Sequence, residues 1–373
     1  MKRTDPESIL SSLVEIDSQC TKSNNEIKNY LGDLFRDYEV QKQALNKNSI
    51  DIYNLIVKIP GMSSDNPLIF VGHTDTVPVS DKWTKNPFKL TKEQSRIYGL
   101  GVSDMKSGLA CFISAALDIS KKPKNDLYLL FDADEEGDGL GGRSLINFLN
   151  LEKGHIIVAE PTNRKIVYAH KGCLDATISF SGVAKHSSQA DASYNEANSA
   201  IYKAIKLCNQ LIAYGKEIEL KKDFLGTPTM NLGVIHGGTA SNVVADNCSI
   251  KICRRLVSSD SIKDEYEKLE NLVHSIDSSA TIIPTFWSNP FYSDPKSDVI
   301  TRIISASSGV IPNPKLDIKK GCTEAGLFQK YGQVAVFGPG ETQFCHTSDE
   351  SLNPDDLIIF KEIYSRLIKN ENP

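Results

Sequence analysis

Several things are scarce in this chain of 373 residues, and each scarcity excludes something. No apolar run approaches the roughly 18 residues that a membrane helix requires. The opening Met1-Lys2-Arg3-Thr4-Asp5-Pro6 is not followed by an apolar signal core, so a cytoplasmic location is expected. There is no basic excess: 42 Lys and Arg stand against 47 Asp and Glu, a formal charge of −5, which argues against nucleic acid as the main partner. Cysteines occur at 20, 111, 173, 208, 248, 253, 322 and 345, scattered and never as Cys-x-x-Cys. The spacing therefore gives no sign of a disulfide framework or a cysteine zinc site, and reduced thiols are expected. Internal repeats and low-complexity tracts are absent, and the composition is that of a globular protein with a full core.

What is present has two textures. Ile9, Leu10, Leu13 and Val14, and then Ile27, Tyr30, Leu31 and Leu34, recur with helical spacing. Continuous apolar runs follow at Leu68–Val71, Leu127–Phe131 and Ile156–Ala159, as suits buried strands of a mainly parallel sheet. A helix presenting Leu109, Phe112, Ile113, Ala116 and Leu117 lies between the first two, so an α/β domain is expected. From Gly172 the strands alternate, as in Ala176–Phe180 and Ser249–Cys253, and helices around Ala197–Leu211 and Leu269–Ile276 separate them. After Pro290 the first texture returns with Val334–Phe337 and a last helix through Leu357, Phe360, Tyr364 and Leu367. The expected architecture is an α/β catalytic domain over 1–171 and 287–373, interrupted by a smaller α+β domain over 172–286.

Acidic and histidine residues stand just past the apolar runs: His73 and Asp75, then Asp132 to Glu136, then Glu160, and finally His346 after Gly338-Pro339-Gly340. Open α/β sheets place their sites at these carboxyl ends. Each residue also has a plain reading: His-x-Asp as a surface pair, Asp104 as a helix N-cap, Glu135-Glu136 as solvated charge. Yet carboxylates gathered at the mouth of a buried strand are costly without cations. A dinuclear site built from His73, Asp104, Glu136, Glu160 and His346 explains all five together. Imidazole and carboxylate suit Zn²⁺ or Co²⁺, and Asp75 is placed to hold the other ring nitrogen of His73. A rival reading starts from Gly137-Asp138-Gly139-Leu140-Gly141-Gly142, which fits a dinucleotide-binding fingerprint. Five acidic residues between Asp132 and Asp138 would face the pyrophosphate, so the glycines are better read as serving a tight turn.

The stretches Gly72-His73-Thr74-Asp75-Thr76-Val77-Pro78, Gly99 to Gly108, Asp134-Glu135-Glu136 and Ala159-Glu160-Pro161-Thr162 resemble the M20 family of co-catalytic metallohydrolases. Narrower signals are His170-Lys171-Gly172, Asn231 to Gly238, Cys322-Thr323-Glu324-Ala325 and Gly338-Pro339-Gly340. These look most like the members that deacylate N-acyl amino acids. The resemblance implies that His73 and Glu160 bind one metal, Glu136 and His346 the other, and that Asp104 bridges. It makes Glu135 the general base and gives Asp75 a supporting catalytic place. The inserted domain becomes a lid that forms a homodimer, with His186 reaching the neighbouring subunit's site. Asn242 and Arg255 would contact the substrate carboxylate, and Thr323 and Glu324 lie near the expected pocket, where Glu324 could hold an ammonium or a structural salt bridge. The chain departs from the family pattern at Cys253-Arg254-Arg255, where Asp-x-Arg is usual, and at Cys345, where Ala is usual.

Overall fold

The computed structural model describes residues 4–47, 50–148 and 153–370. The chain folds as two compact units. The first comprises residues 1–169, 292–318 and 323–373; the second comprises 170–291 and 319–322. The short segment Lys319–Cys322 thus joins the inserted unit, although the sequence texture there gives no hint of it.

The first unit is built on a mixed sheet. Its strands lie in the order Glu39–Lys47, Ile50–Ile59, Asn125–Asp132, Ser63–His73, Gly154–Pro161, Gly332–Gly338 and Ile166–His170. The middle four are mutually parallel, and they contain the four continuous apolar runs. The flanking pairings are antiparallel, so the sheet is parallel only at its centre. The alternating edge strand Glu39–Lys47 exposes one side and carries no long apolar run, which is why the sequence pattern hides it. The helix Lys106–Leu117 is buried on every face up to Ala116. It packs between Pro6–Glu15 and Asp355–Lys369. Its Gly108 lets the backbone approach the strand end closely, since a Cβ there would stand 2.2 Å from the carbonyl oxygen of Ala159. Phe70 sits at the centre of this core, 5.6 Å from the Phe112 ring and 4.8 Å from that of Tyr364.

The second unit is a four-stranded antiparallel sheet ordered Thr229–Gly237, Asn247–Leu256, Gly172–Ser181 and Thr281–Ser288. Helices Ala200–Ile218 and Ile262–Ile276 cover one face through Leu207, Leu211, Leu269 and Val273 against Leu174, Ile178, Ile250 and Ile252. One expectation needs correcting. The helix drawn through Ala197 is broken at Ser199, which is extended and N-caps the longer helix by accepting from the Tyr202 N–H. Beneath the helices, the buried Arg254 is paired with Glu265 and Asp260, each at 3.0 Å. Among the described residues, no helix is long and apolar enough to cross a membrane.

Because Phe70 is fully buried among rings, Phe70→Ala should destabilise the first unit by about 3–5 kcal/mol, the usual range for such a cavity. Denaturant midpoints at unchanged slope would check this.

Candidate metal centre

The four parallel strands end together. His73 lies in register with Asp132, and Gly338 with Pro161. At this shared edge, ligand atoms of His73, Asp104 and Glu160 lie within 4.8 Å of one another, and so do those of Asp104, Glu136 and His346. Asp104 is common to both groups. Its Oδ1 is 3.3 Å from His73 Nε2 and its Oδ2 is 3.4 Å from His346 Nε2. Glu160 Oε1 stands 3.6 Å from His73 Nε2, and Glu136 Oε1 stands 3.0 Å from His346 Nε2. The helix-cap reading of Asp104 is set aside: Met105 holds the N-cap position without a side-chain bond, and the Asp104 carboxylate turns toward the histidines.

Asp75 departs from its expected contact. His73 Nδ1 donates to the backbone carbonyl of Asp75 at 2.9 Å, and the carboxylate stays 3.9 Å away. The backbone contact alone orients the ring and leaves Nε2 facing the carboxylates. The Asp75 carboxylate instead accepts the N–H groups of Glu135 and Glu136, at 3.2 and 3.0 Å. It thus holds the adjacent glutamates in place through their backbone.

The glycine-rich loop is closed to phosphate. Asp134 accepts the N–H groups of Asp138 and Leu140, both at 3.3 Å, and pairs with Lys47. The donors that a phosphate would need are therefore committed to an internal carboxylate. Gly141 is required for close packing, because a Cβ there would meet the Ala133 carbonyl oxygen at 2.0 Å.

Electrostatics follow from crowding. Burial, then neighbouring Glu160, Glu136 and Asp104, push Glu135 well above the usual carboxylate range, with His73 opposing. Burial and then Asp104 raise Glu136. Burial pulls His73 down, but the Asp104 and Glu160 carboxylates outweigh it and leave the imidazole raised. His346 is pushed up to about 11 by its contacts with Asp104 and Glu136. The cluster gathers protons in the absence of another positive charge, and its imidazole and carboxylate donors fit a pair of divalent cations.

Glu324 is buried beside another acidic residue. It is 4% exposed, and its carboxyl lies against that of Asp132 with no further donor to either. Enclosure, and then this neighbour, raise it strongly. Thr323 is also buried, and its hydroxyl accepts the Ala325 N–H. Cys345 turns its sulfur toward the Glu341 carbonyl, at 3.8 Å.

Three expected residues belong to the second unit. His186 is exposed; its Nδ1 accepts the Ser188 N–H at 3.2 Å, which assigns the proton of a neutral ring to Nε2. Asn242 is exposed beside it, joined by the Ser187 N–H to Asn242 carbonyl bond of 2.9 Å. Arg255 is half-buried and donates to Cys322 Sγ at 3.2 Å.

Glu350 escaped the sequence reading. It is 1% exposed and accepts the N–H groups of Gly101, Ser103 and Asp104, at 2.8, 2.7 and 2.9 Å. Burial raises it to about 8 despite those three donors. Its signal was position alone, four residues past His346.

With this geometry in view, the family assignment is direct. The description "Peptidase family M20/M25/M40" matches residues 69–370, and the chain belongs to that family of hydrolases. It is 30% identical over 368 residues to the acetylornithine deacetylase of Buchnera aphidicola subsp. Schizaphis graminum, covering 97% of this chain and 95% of that one. The acetylornithine deacetylase of Photorhabdus laumondii is 31% identical, with 96% and 93% covered. The fold is shared with the M20 family metallo-carboxypeptidase Sso-CP2 of Sulfolobus solfataricus, at TM-score 0.76, 18% identity and 99% of each chain.

Removing the Glu350 anchor should loosen the Asp104 loop. Glu350→Ala should weaken metal binding by roughly 10–100-fold while the chain stays folded, the scale for residues that orient ligands. Calorimetric metal titration with a circular dichroism control would check it.

Proposed function

We propose that the chain hydrolyses the amide bond of an N-acyl amino acid, with N²-acetyl-L-ornithine giving L-ornithine and acetate as the first substrate to test. The observation that carries this reading is the pair of donor clusters sharing Asp104, with Glu135 beside them. Near-full-length similarity to acetylornithine deacetylases supports the substrate and a place in arginine biosynthesis.

His73 and Glu160 would hold one divalent ion and Glu136 and His346 the other, with Asp104 between. Zn²⁺ is the proposed metal and Co²⁺ a substitute. Bound there, the ions would acidify a water molecule and polarise an acyl oxygen. Glu135 takes the proton from the attacking water and returns it to the departing nitrogen, which an amine needs in order to leave. Asp75 fixes Glu135 through its backbone N–H. Arg255 offers a guanidinium fork, and Asn242 an amide, to the substrate carboxylate. His186 Nε2–H, from a second copy, is a donor for the developing oxyanion.

Dimerisation through the second unit has support in its surface. Thr229–Gly237 is an edge strand of that sheet, with Val234 and Ile235 exposed at 49% and 56%. Exposed Ile205 and Ile212 on the adjacent helix add apolar area. A cytoplasmic location accords with this small-molecule chemistry.

Chelation should abolish activity, with Zn²⁺ or Co²⁺ restoring it, in a panel of acetylornithine, succinyl-diaminopimelate, other acetylated amino acids and dipeptides. A preference for one of the others would reassign the substrate, and saturable NAD binding without metal would overturn the class. Glu135→Gln should keep both metals and lose about 10²-fold or more in kcat, with no rescue by excess metal. Glu136→Gln should lose affinity for one metal and recover partly in excess. Metal titrations alongside kcat at saturating metal separate the two.

Sharing of His186 between subunits has its own measurement. Inactive His186→Ala mixed with inactive Glu135→Ala should regain activity as subunits exchange, since each mixed dimer holds one intact site. No recovery despite exchange seen by mass spectrometry would rule out the shared site.

A further inference from the structure

The second unit gathers three of the scattered cysteines. In the pairing of strands Gly172–Ser181 and Asn247–Leu256, Asp175 stands opposite Cys253 and Cys173 opposite Arg255. Residues two apart on a strand share a face. Cys173, Asp175, Cys253 and Arg255 therefore project together, on the side opposite the helix-covered Leu174, Ile252 and Arg254. Cys322, from the segment grouped with this unit, joins the cluster by its approach to Cys173 and by accepting from Arg255 at 3.2 Å.

The distances suit a shared ion. Cys173 Sγ and Cys253 Sγ are 3.9 Å apart, and Cys173 Sγ is 3.1 Å from Asp175 Oδ1. Donor atoms of Cys173, Asp175 and Cys253 all lie within 4.8 Å of one another. Two sulfurs on a tetrahedral zinc, each at about 2.3 Å from it, are separated by roughly 3.8 Å. A disulfide would need only two sulfurs and would leave the third thiol and the carboxylate without a purpose. Here three donors of the types that bind zinc converge, Cys173 among them is buried, and Cys322 stands at hand as a fourth.

We propose that Cys173, Cys253, Cys322 and Asp175 form a thiolate–carboxylate site for a divalent cation of borderline or soft character, of the Zn²⁺ and Cd²⁺ class. Arg255 and Lys319 supply positive charge that favours deprotonated sulfur and offsets the excess of anionic donors. A bound ion would tie the segment Lys319–Cys322 to two strands of the sheet and fix Arg255 beside it. None of these donors belongs to the Asp104 cluster, and the inference does not rest on the proposed reaction.

The test is spectroscopic and needs no turnover. The Asp104 cluster offers only nitrogen and oxygen, so thiolate-to-metal charge-transfer absorption reports the sulfur site alone. The full chain, kept reduced, is titrated with Cd²⁺ and separately with Co²⁺. A charge-transfer band should appear and saturate at an amplitude of one thiolate-bound ion per chain. Cys173→Ser, Cys253→Ser and Cys322→Ser should each weaken the band and lower metal content by one ion, while Cys345→Ser leaves both unchanged. In the unaltered chain, Cd²⁺ should slow alkylation of Cys173, Cys253 and Cys322 by about tenfold or more, as expected for ligands committed to an ion, and leave half-buried Cys208 unaffected. This second readout needs no variant to fold. Absence of the band with the nitrogen–oxygen centre filled would overturn the proposal, as would a band that survives the three substitutions. A chain two hydrogens lighter that takes up no thiolate-bound metal would overturn it in favour of a disulfide.

Discussion

Mutual repulsion among Asp104, Glu135, Glu136 and Glu160 is the constraint around which the first unit is arranged. Four carboxylates drawn from three segments meet at one sheet edge, two of them raised by burial and then by neighbouring carboxylates. Such a group holds its shape only if the backbone is secured elsewhere. Asp75 secures the glutamate pair, Glu350 the Asp104 loop, and Asp134 with Lys47 the turn that follows. Buried Lys28 donates to the carbonyls of Phe131 and Asp132 and so fixes the strand end beneath them. Each device spends a charged or polar side chain on backbone groups rather than on solvent. Folding alone therefore leaves a surplus of negative charge pointing at one place, where divalent cations are the natural complement.

The parts legible in the sequence were those with a strong one-dimensional signal. Continuous apolar runs marked the four parallel strands, and the residues just beyond them marked the donor cluster, because strand ends in such sheets converge. Antiparallel flanks were missed because half-exposed strands such as Glu39–Lys47 alternate weakly. Glu350 was invisible for another reason. Its partners are backbone N–H groups about 250 positions away, and backbone groups leave no trace in residue type. Asp75 shows the opposite error: the residue was found, but sequence cannot say whether a carboxylate or a carbonyl meets the ring. Glu324 was read by its charge, and residue type gives no sign of its burial beside Asp132.

The cysteines make the same point at longer range. Spacing rules look for ligands close in sequence, whereas strand pairing brings Cys173 to Cys253 across a sheet. The departure at Cys253-Arg254-Arg255 also becomes intelligible. The residue opposite Cys253 is Asp175, so an acidic group remains on the Arg255 face although it comes from the neighbouring strand. Alternate residues then divide the labour, with Arg254 turned inward to Glu265 and Asp260 and Arg255 turned outward to Cys322.

The loop from Asp134 to Leu140 has a wider meaning. In nucleotide-binding turns the anion is a visitor, and the backbone must be drawn into order when it arrives. Here the anion is part of the chain: the Asp134 carboxylate occupies the nest of N–H groups permanently. The conformational entropy of that turn is surrendered once, during folding, and is not charged again at each encounter with a ligand. The glutamates carried at its start are thus preorganised in the resting protein, ready before anything binds.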